Sequence, residues 1–307
     1  LTYREKITVL LRSCKKFKNW YFYPLIYLNI IKRDFVTFQT NSDLKMKIRV
    51  KSTDLMQLTT IWLTREYEVP GFEIKEDDTI IDVGGHIGLF MLFCEQFCRK
   101  GKIYCFEPAL DNYRIFSDNV KLNNLENIHS FNMAVSKHDG KIPLYLNDDA
   151  SGHSIFLKNS NPIQVESITL QKVFELNNIK KCNLLKLDCE GSEYEIINSL
   201  PDSYFSMIDK IIIEYHFAEK YPKLLTNLIK KLEKVEGIER YRISSIEPNL
   251  ITDEVIDFVK QYDKFMPHFH IPMQSGSDKI LEVMRRRYTA KEYLDAVERI
   301  RSSVPHA

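Results

Sequence analysis

Polar side chains cluster where short apolar runs end. Thr79-Ile80-Ile81-Asp82-Val83 reads as a buried strand and stops on Gly84-Gly85-His86-Ile87-Gly88. The apolar helical pattern of Leu89, Phe90, Leu92, Phe93 and Phe97 follows at once. Such a turn offers helix N–H groups to a ligand, and glycine permits both positive φ and close backbone approach. Asp82 falls at the strand's carboxyl end, the rim on which open α/β sheets bind ligands. A second strand, Lys102-Ile103-Tyr104-Cys105-Phe106, closes on Glu107, about twenty residues past the glycines. A carboxylate there accepts hydrogen bonds from both hydroxyls of a ribose, so an adenosine-containing ligand is expected. The plainer alternative is a structural glycine turn and an acidic helix start at Glu107-Pro108.

Asp188, Glu190, Glu214 and His216 end or follow two later strands and are expected on the same rim. Adjacent carboxylates and an imidazole can deprotonate an acceptor hydroxyl or hold a divalent ion. Asp188, Glu190 and His216 are the candidate catalytic groups, and no metal set is assigned. Helix-start chemistry is the competing explanation: Ser192 with Glu195 has capping-box spacing, and Glu190 and Glu193 suit the positive end of a helix dipole. That explains Glu193 and Glu195 better than Asp188 and His216, which follow strands. Lys186, between Leu185 and Leu187, requires a rim carboxylate as partner if buried. His86 is expected to line the cofactor pocket or cap the next helix, and His153 to be a solvated loop residue.

The elements that position these groups alternate. Residues 1–33 form a basic, aromatic segment whose composition suits a membrane interface, although a helix packed on its own domain is the favoured reading. Phe35 to Gln39 and Lys45 to Val50 form a hairpin around Asn41-Ser42-Asp43, and a helix through Leu55, Leu58, Ile61 and Trp62 leads to Pro70-Gly71. Beyond Glu107, a helix runs to about Asn123, and Ile128 to Met133 forms a third strand ending at Ala134-Val135. Lys141 to Leu146 and Ile163 to Ile168 bracket the polar loop 147–154, where acceptor recognition is expected. Helix 169–178, strand 184–188, a helix from Glu190 and strand 210–214 follow. This alternation implies a mostly parallel, doubly wound α/β sheet.

At 307 residues and 44% hydrophobic, the chain supports one generous α/β domain with an appendage. A net charge of +1 gives no global attraction to nucleic acid. No apolar run reaches membrane-span length, and the scattered cysteines, including Cys94 and Cys98, read as packing thiols of a reducing compartment. A cytoplasmic protein is expected. Leu1 in place of methionine leaves the amino terminus open.

Together, Asp82-Val83-Gly84-Gly85-His86-Ile87-Gly88, Phe106-Glu107-Pro108, Asn119 with Asn123, Ala134-Val135-Ser136, Asp188-Cys189-Glu190-Gly191-Ser192-Glu193 and Glu214-Tyr215-His216 resemble the FkbM family of S-adenosylmethionine-dependent methyltransferases over residues 45–230. The resemblance implies a Rossmann-like class I methyltransferase sheet with helices on both faces. It also implies S-adenosylmethionine as donor and O-methylation of a sugar or other hydroxylated metabolite. Asp82, Gly84, Gly85, His86 and Gly88 would then hold the methionine part of the donor, Glu107 the ribose, and the segment at Ala134 the adenine. The family usually has alanine and asparagine at Gly85 and His86.

From about Leu232 the chain resembles radical S-adenosylmethionine tRNA methylthiotransferases, on the segments 236–248, 265–278 and Met284-Arg285-Arg286-Arg287-Tyr288-Thr289. The CxxxCxxC motif of those enzymes is absent, so radical chemistry by this chain alone is not expected. The tail reads as a β-α fragment with strands at 242–246 and 265–271 and helices from Asp253 and near Asp278. Thr289 and Glu292 cap a last helix. The arginine run 285–287 has the charge to touch phosphate, although an exposed helix-end charge cluster is the favoured reading. The expected division is 1–70, an N-terminal helical and hairpin extension; 71–231, the transferase core; and 232–307, a partial radical-barrel-like segment. Two rival readings are a nicotinamide-dependent oxidoreductase and a non-catalytic fusion or joined reading frame.

Overall fold

The computed structural model describes residues 3–68, 70–146, 153–155, 162–214, 216, 222–234, 240–244, 248–261, 264–269, 271, 273–284, 286 and 288–305. The extension begins with helices α1 (Tyr3–Lys16) and α2 (Phe22–Tyr27). The expected hairpin follows as β1 (Phe35–Gln39) and β2 (Lys45–Arg49). Helix α3 (Asp54–Leu58) then loosens into a π-helical turn, Thr59–Leu63.

The core runs β3 (Thr79–Val83), α4 (Leu89–Glu95), β4 (Lys102–Phe106), α5 (Leu110–Leu122) and β5 (Ile128–Phe131). It continues through β6 (Ala134–Ser136), β7 (Gly140–Leu144), β8 (Ile163–Thr169), α6 (Leu170–Leu176), β9 (Leu184–Leu187), α7 (Glu193–Ser199), α8 (Asp202–Phe205) and β10 (Lys210–Glu214). The tail adds α9 (Pro222–Lys234), β11 (Arg240–Ser244), α10 (Asp253–Gln261), β12 (Phe265–Phe269), α11 (Asp278–Val283) and α12 (Ala290–Ser303).

Seven strands pair in the order β12-β11-β10-β9-β3-β4-β5. Every pairing is parallel. The order reverses between β3 and β9, the switch point at which such sheets open a ligand crevice. The tail strands β11 and β12 continue this sheet beyond β10.

Because strand side chains alternate, each core strand feeds two cores. Ile81, Val83, Tyr104 and Phe106 pack with residues of α6, α7, α9, α10 and α12. Ile80, Ile103, Cys105 and Leu184 pack on the opposite face with α4, α5 and the extension. Val9, Phe17, Tyr23, Phe38 and Ile48 all belong to that second core, so the extension is a structural layer.

Two amides attach the hairpin. Asn119 Oδ1 accepts from Lys47 N at 2.7 Å and its Nδ2 donates to Lys47 O at 3.1 Å. Asn123 does the same for Lys45, at 2.7 and 2.8 Å. Four residues along a helix and two along a strand both advance about 6–7 Å, so α5 pairs with the free edge of β2 as another strand would.

Two local expectations change. Strand β5 ends at Phe131, and Ala134 opens a separate three-stranded sheet, β6-β8-β7. The break is held by Asn132, whose Nδ2 donates to Glu107 O at 2.9 Å and Pro108 O at 3.1 Å. Ser192 and Glu195 form no capping box, because Ser192 already has helical φ and makes no capping bond, while Glu195 binds Lys137 at 2.7 Å. The box at Thr289 and Glu292 does form. The polar loop 147–152 lies outside the described residues, as do Arg285 and Arg287.

Asn119 is fully buried and also donates to Ile87 O at 2.8 Å. Asn119→Ala is expected to cost about 2–4 kcal/mol in urea unfolding, because it strands buried backbone groups. Asn123→Ala, at a half-buried position, is expected to cost about 1 kcal/mol.

Candidate active site

The glycine turn is shaped by close packing at the switch point. Gly84 (φ 86°) lies so near β9 that an added Cβ would sit 1.7 Å from Asp188 O. Gly88 (φ 84°) and His86 (φ 49°) also adopt left-handed backbone. The sequence suggested N–H groups open to a ligand, but the turn is tied to its neighbours. Gly84 N and Gly85 N both donate to Phe106 O at 3.0 Å, and Gly88 N donates to Gly85 O at 2.8 Å. His86 N donates to Glu107 Oε2 at 2.8 Å.

One cavity opens over this junction. Gly84, Gly85, His86, Glu107, Ala134, Asp188 and Glu190 line it, joined by Lys186, Glu214 and His153. Asp82, Gly88 and His216 are not among its lining residues. Phe106, Leu144 and Ile155 supply apolar wall. Gln57, Ile61 and Tyr67 join the lining from the extension. No sequence motif marked those three; only the fold brings them there.

Asp82 stands opposite Lys186 in the β3–β9 register, on the α4 face. Lys186 Nζ lies 3.2 Å from Asp82 Oδ1 and 3.3 Å from Asp188 Oδ2, with the Phe90 ring centroid 5.3 Å away. The buried lysine therefore has the rim partners its sequence context demanded. Burial opposes its charge, yet Asp188, Asp82 and Tyr67 hold the ammonium well above the usual lysine range. Burial pushes the Asp82 carboxyl up, and Lys186 offsets part of that rise. Asp82 Oδ2 has no hydrogen-bond partner among the described residues.

Glu107 is buried, accepting from Ala109 N at 2.9 Å through Oε1 and from His86 N through Oε2. Burial raises its carboxyl to about 7 against the pull of those donors. Across the cavity, Glu190 sits at φ 52°, a conformation unusual without glycine, and Ser154 Oγ donates to its carbonyl at 2.5 Å. Burial also raises Glu190 to about 7, with His216 pulling it down and Asp188 pushing it further up.

Behind Glu190, Glu193 organises the loop. It accepts from Cys189 N at 2.9 Å and Gly191 N at 2.8 Å, and its Oε1 lies 3.0 Å from His216 Nδ1. His216 Nε2 is then 3.6 Å from Glu190 and 4.0 Å from Asp188. Burial works against a charged His216, but Glu190 and Glu193 outweigh it and hold the imidazolium well above the ordinary histidine range. Helix-start chemistry does not account for Glu193, whose oxygens serve the turn and the histidine. Asp188, Glu214 and His216 also bring ligand-type atoms within 4.8 Å of one another, a set able to hold a metal ion.

Residues 82–263 match the Methyltransferase FkbM domain. The chain belongs to this family. It is 26% identical over 176 residues to Methyltransferase 1 of Beauveria bassiana, covering 50% of this chain and 70% of that protein. The solved FkbM methyltransferase of Methylobacillus flagellatus overlaps 57% of this chain and 47% of that one, at 14% identity and a TM-score of 0.37. A shorter stretch of 81 residues is 44% identical to the tRNA-2-methylthio-N(6)-dimethylallyladenosine synthase of Cereibacter sphaeroides, 26% of this chain and 19% of that enzyme. A stretch of 92 residues is 45% identical to the threonylcarbamoyladenosine tRNA methylthiotransferase MtaB of Bacillus subtilis, 30% of this chain and 19% of that enzyme. The chain thus spans about a fifth of these methylthiotransferases. No helix of the described residues is long and apolar enough to cross a membrane.

Lys186→Met leaves Asp82 buried without its counter-charge and is expected to cost about 3–5 kcal/mol in urea unfolding, with partial recovery in the Asp82→Asn/Lys186→Met double variant. His216→Gln removes the cation that lowers Glu190, so carboxyl titration by carbon NMR should move the Glu190 midpoint upward from about 7.

Proposed function

We propose that this FkbM methyltransferase moves a methyl group from S-adenosylmethionine to a hydroxyl of a sugar or other small metabolite. The observation that carries the proposal is one cavity with Glu107 on one strand end and Asp188, Glu190 and Glu214 on others. These residues fit such a donor. Glu107 at the tip of β4 suits ribose hydroxyls, the apolar wall beside Ala134 suits adenine, and the carboxylates suit a cationic sulfonium. S-adenosylmethionine, when bound, supplies an electrophilic methyl that needs no activation.

The chain's own work is alignment and proton handling. Glu190 lines the cavity with its carboxyl near 7, the range suited to taking a hydroxyl proton at neutral pH. His216 is a positioning residue: held by Glu193, it presents positive charge that favours ionised Glu190. Lys186 lies 3.3 Å from Asp188, which is thereby placed to orient the acceptor. Asp82, Gly84, Gly85, His86 and Gly88 shape the donor end through the turn, with Asp82 acting from beneath it through Lys186. Residues 71–231 hold this machinery, 1–70 provide one wall, and the segment from 232 extends the sheet.

A nicotinamide-dependent oxidoreductase fits less well. A dinucleotide pyrophosphate requires free N–H groups in the glycine turn, and those of Gly84 and Gly85 are directed to Phe106 O.

S-adenosylhomocysteine is expected to bind in titration calorimetry, and Glu107→Gln to weaken binding about 10- to 100-fold through loss of charged hydrogen bonds. Ribose hydroxyls donate more strongly to the carboxylate than to the acid, which keeps only part of that acceptor capacity, so affinity should rise from pH 6 to pH 8 through the Glu107 midpoint of about 7. That rise should flatten in Glu107→Gln. Binding indifferent to both pH and substitution would overturn the donor assignment.

A further inference from the structure

Charge and apolar exposure are both concentrated at the amino-terminal end. Residues 1–51 hold twelve Lys and Arg against three Asp and Glu, a net +9 in a chain whose total is +1. Residues 52–307 therefore carry −8. Of nineteen large apolar side chains exposed among the described residues, six lie within residues 3–28: Ile7, Leu11, Trp20, Tyr21, Tyr27 and Leu28. About a third of the exposure falls in under a tenth of the chain.

Helices α1 and α2 and the residues that flank them are already docked by their other side. Val9, Phe17, Tyr23 and Ile26 are buried in the core, whereas Leu11 is 57% and Leu28 63% exposed. Ile7 and Leu11 are one helical turn apart and share a face. The Lys6 ammonium lies 5.5 Å from the centre of the Tyr27 ring, which sets the start of α1 beside the end of α2. At roughly 90 Å² for each half-exposed side chain, the six expose on the order of 500 Å² in total, comparable to the largest apolar patches of monomeric proteins, which are often functional. Lys15, Lys32 and Arg33 are exposed on the same amino-terminal segment and have no acidic partner among the described residues.

We propose that this face docks peripherally on an anionic lipid bilayer. Aromatic and aliphatic side chains enter the headgroup boundary while the surrounding lysines and arginines meet the anionic lipids. Charge complementarity selects this partner: the +9 segment attracts an anionic surface that the −8 remainder repels. A polyanion such as RNA would be met by the cations alone and would leave the six apolar side chains without a role. The segment lies on the membrane and does not span it, in keeping with helices of only 14 and 6 residues.

Co-sedimentation of the full chain with phosphatidylcholine vesicles, with and without about one-third phosphatidylglycerol, tests this without any donor or acceptor. Its outcome is therefore separate from that of the methyl-transfer reading. Binding is expected to the anionic vesicles only and to weaken from 0.1 to 0.5 M salt. Lys32→Glu/Arg33→Glu and, separately, Leu11→Ser/Leu28→Ser are each expected to reduce vesicle binding about tenfold or more, with melting temperature unchanged. No binding to anionic vesicles would overturn the proposal. So would full retention of binding by the serine variant, which would leave only a generic polyanion site.

Discussion

One buried ammonium group holds the centre of this molecule. Lys186 lies between carboxylates that belong to the two strands at which the sheet reverses, and removing its charge from water is tolerable only because both stand within 3.3 Å. The contact fixes more than a salt bridge. It lies where the strand ends meet, with Asp188 N donating to Val83 O at 3.0 Å and the Asp188 carbonyl so near the glycine turn that residue 84 has no room for a side chain. The same contact sets Asp188 at the cavity wall and keeps a positive charge beneath an otherwise acidic pocket.

Around that centre, carboxylates organise the backbone. Glu107 gathers the N–H groups of His86 and Ala109, and Glu193 those of Cys189 and Gly191. Each acid shapes the loop that presents the next functional group. The extension works in a similar way from outside: Arg49 reaches both Asp54, at 2.8 Å, and His86, at 3.0 Å, so the hairpin steadies the turn from its far side. His86, where the family usually has asparagine, therefore joins the turn to the extension.

The strand, turn and helix around Asp82 were legible because each depends on local pattern: an apolar run, glycines, and a helical repeat. Glu107 was legible from its distance along the same unit, and the need of Lys186 for carboxylates from its apolar neighbours. What the sequence did not reveal depends on contacts between distant segments. Nothing near Gly84 announces that its N–H will meet Phe106 O, and nothing near Gln57 places it at the cavity. Ser192 and Glu195 have capping spacing, yet tertiary contacts draw Glu195 to Lys137 and assign the loop to Glu193. A two-residue break after Phe131 likewise turned one expected strand into two, because the side-chain amide of Asn132 serves the Glu107 corner.

The sheet order also has a consequence for synthesis on the ribosome. Asp82 and Lys186 are 104 positions apart. At about 5–20 residues per second, roughly 5–20 seconds separate the translation of the first from that of the second. During that interval the nascent chain can hold β3 against β4 but has no cation for Asp82. The acid must stay hydrated or protonated until β9 arrives, so closure of the central crevice is a late event in the life of the growing polypeptide.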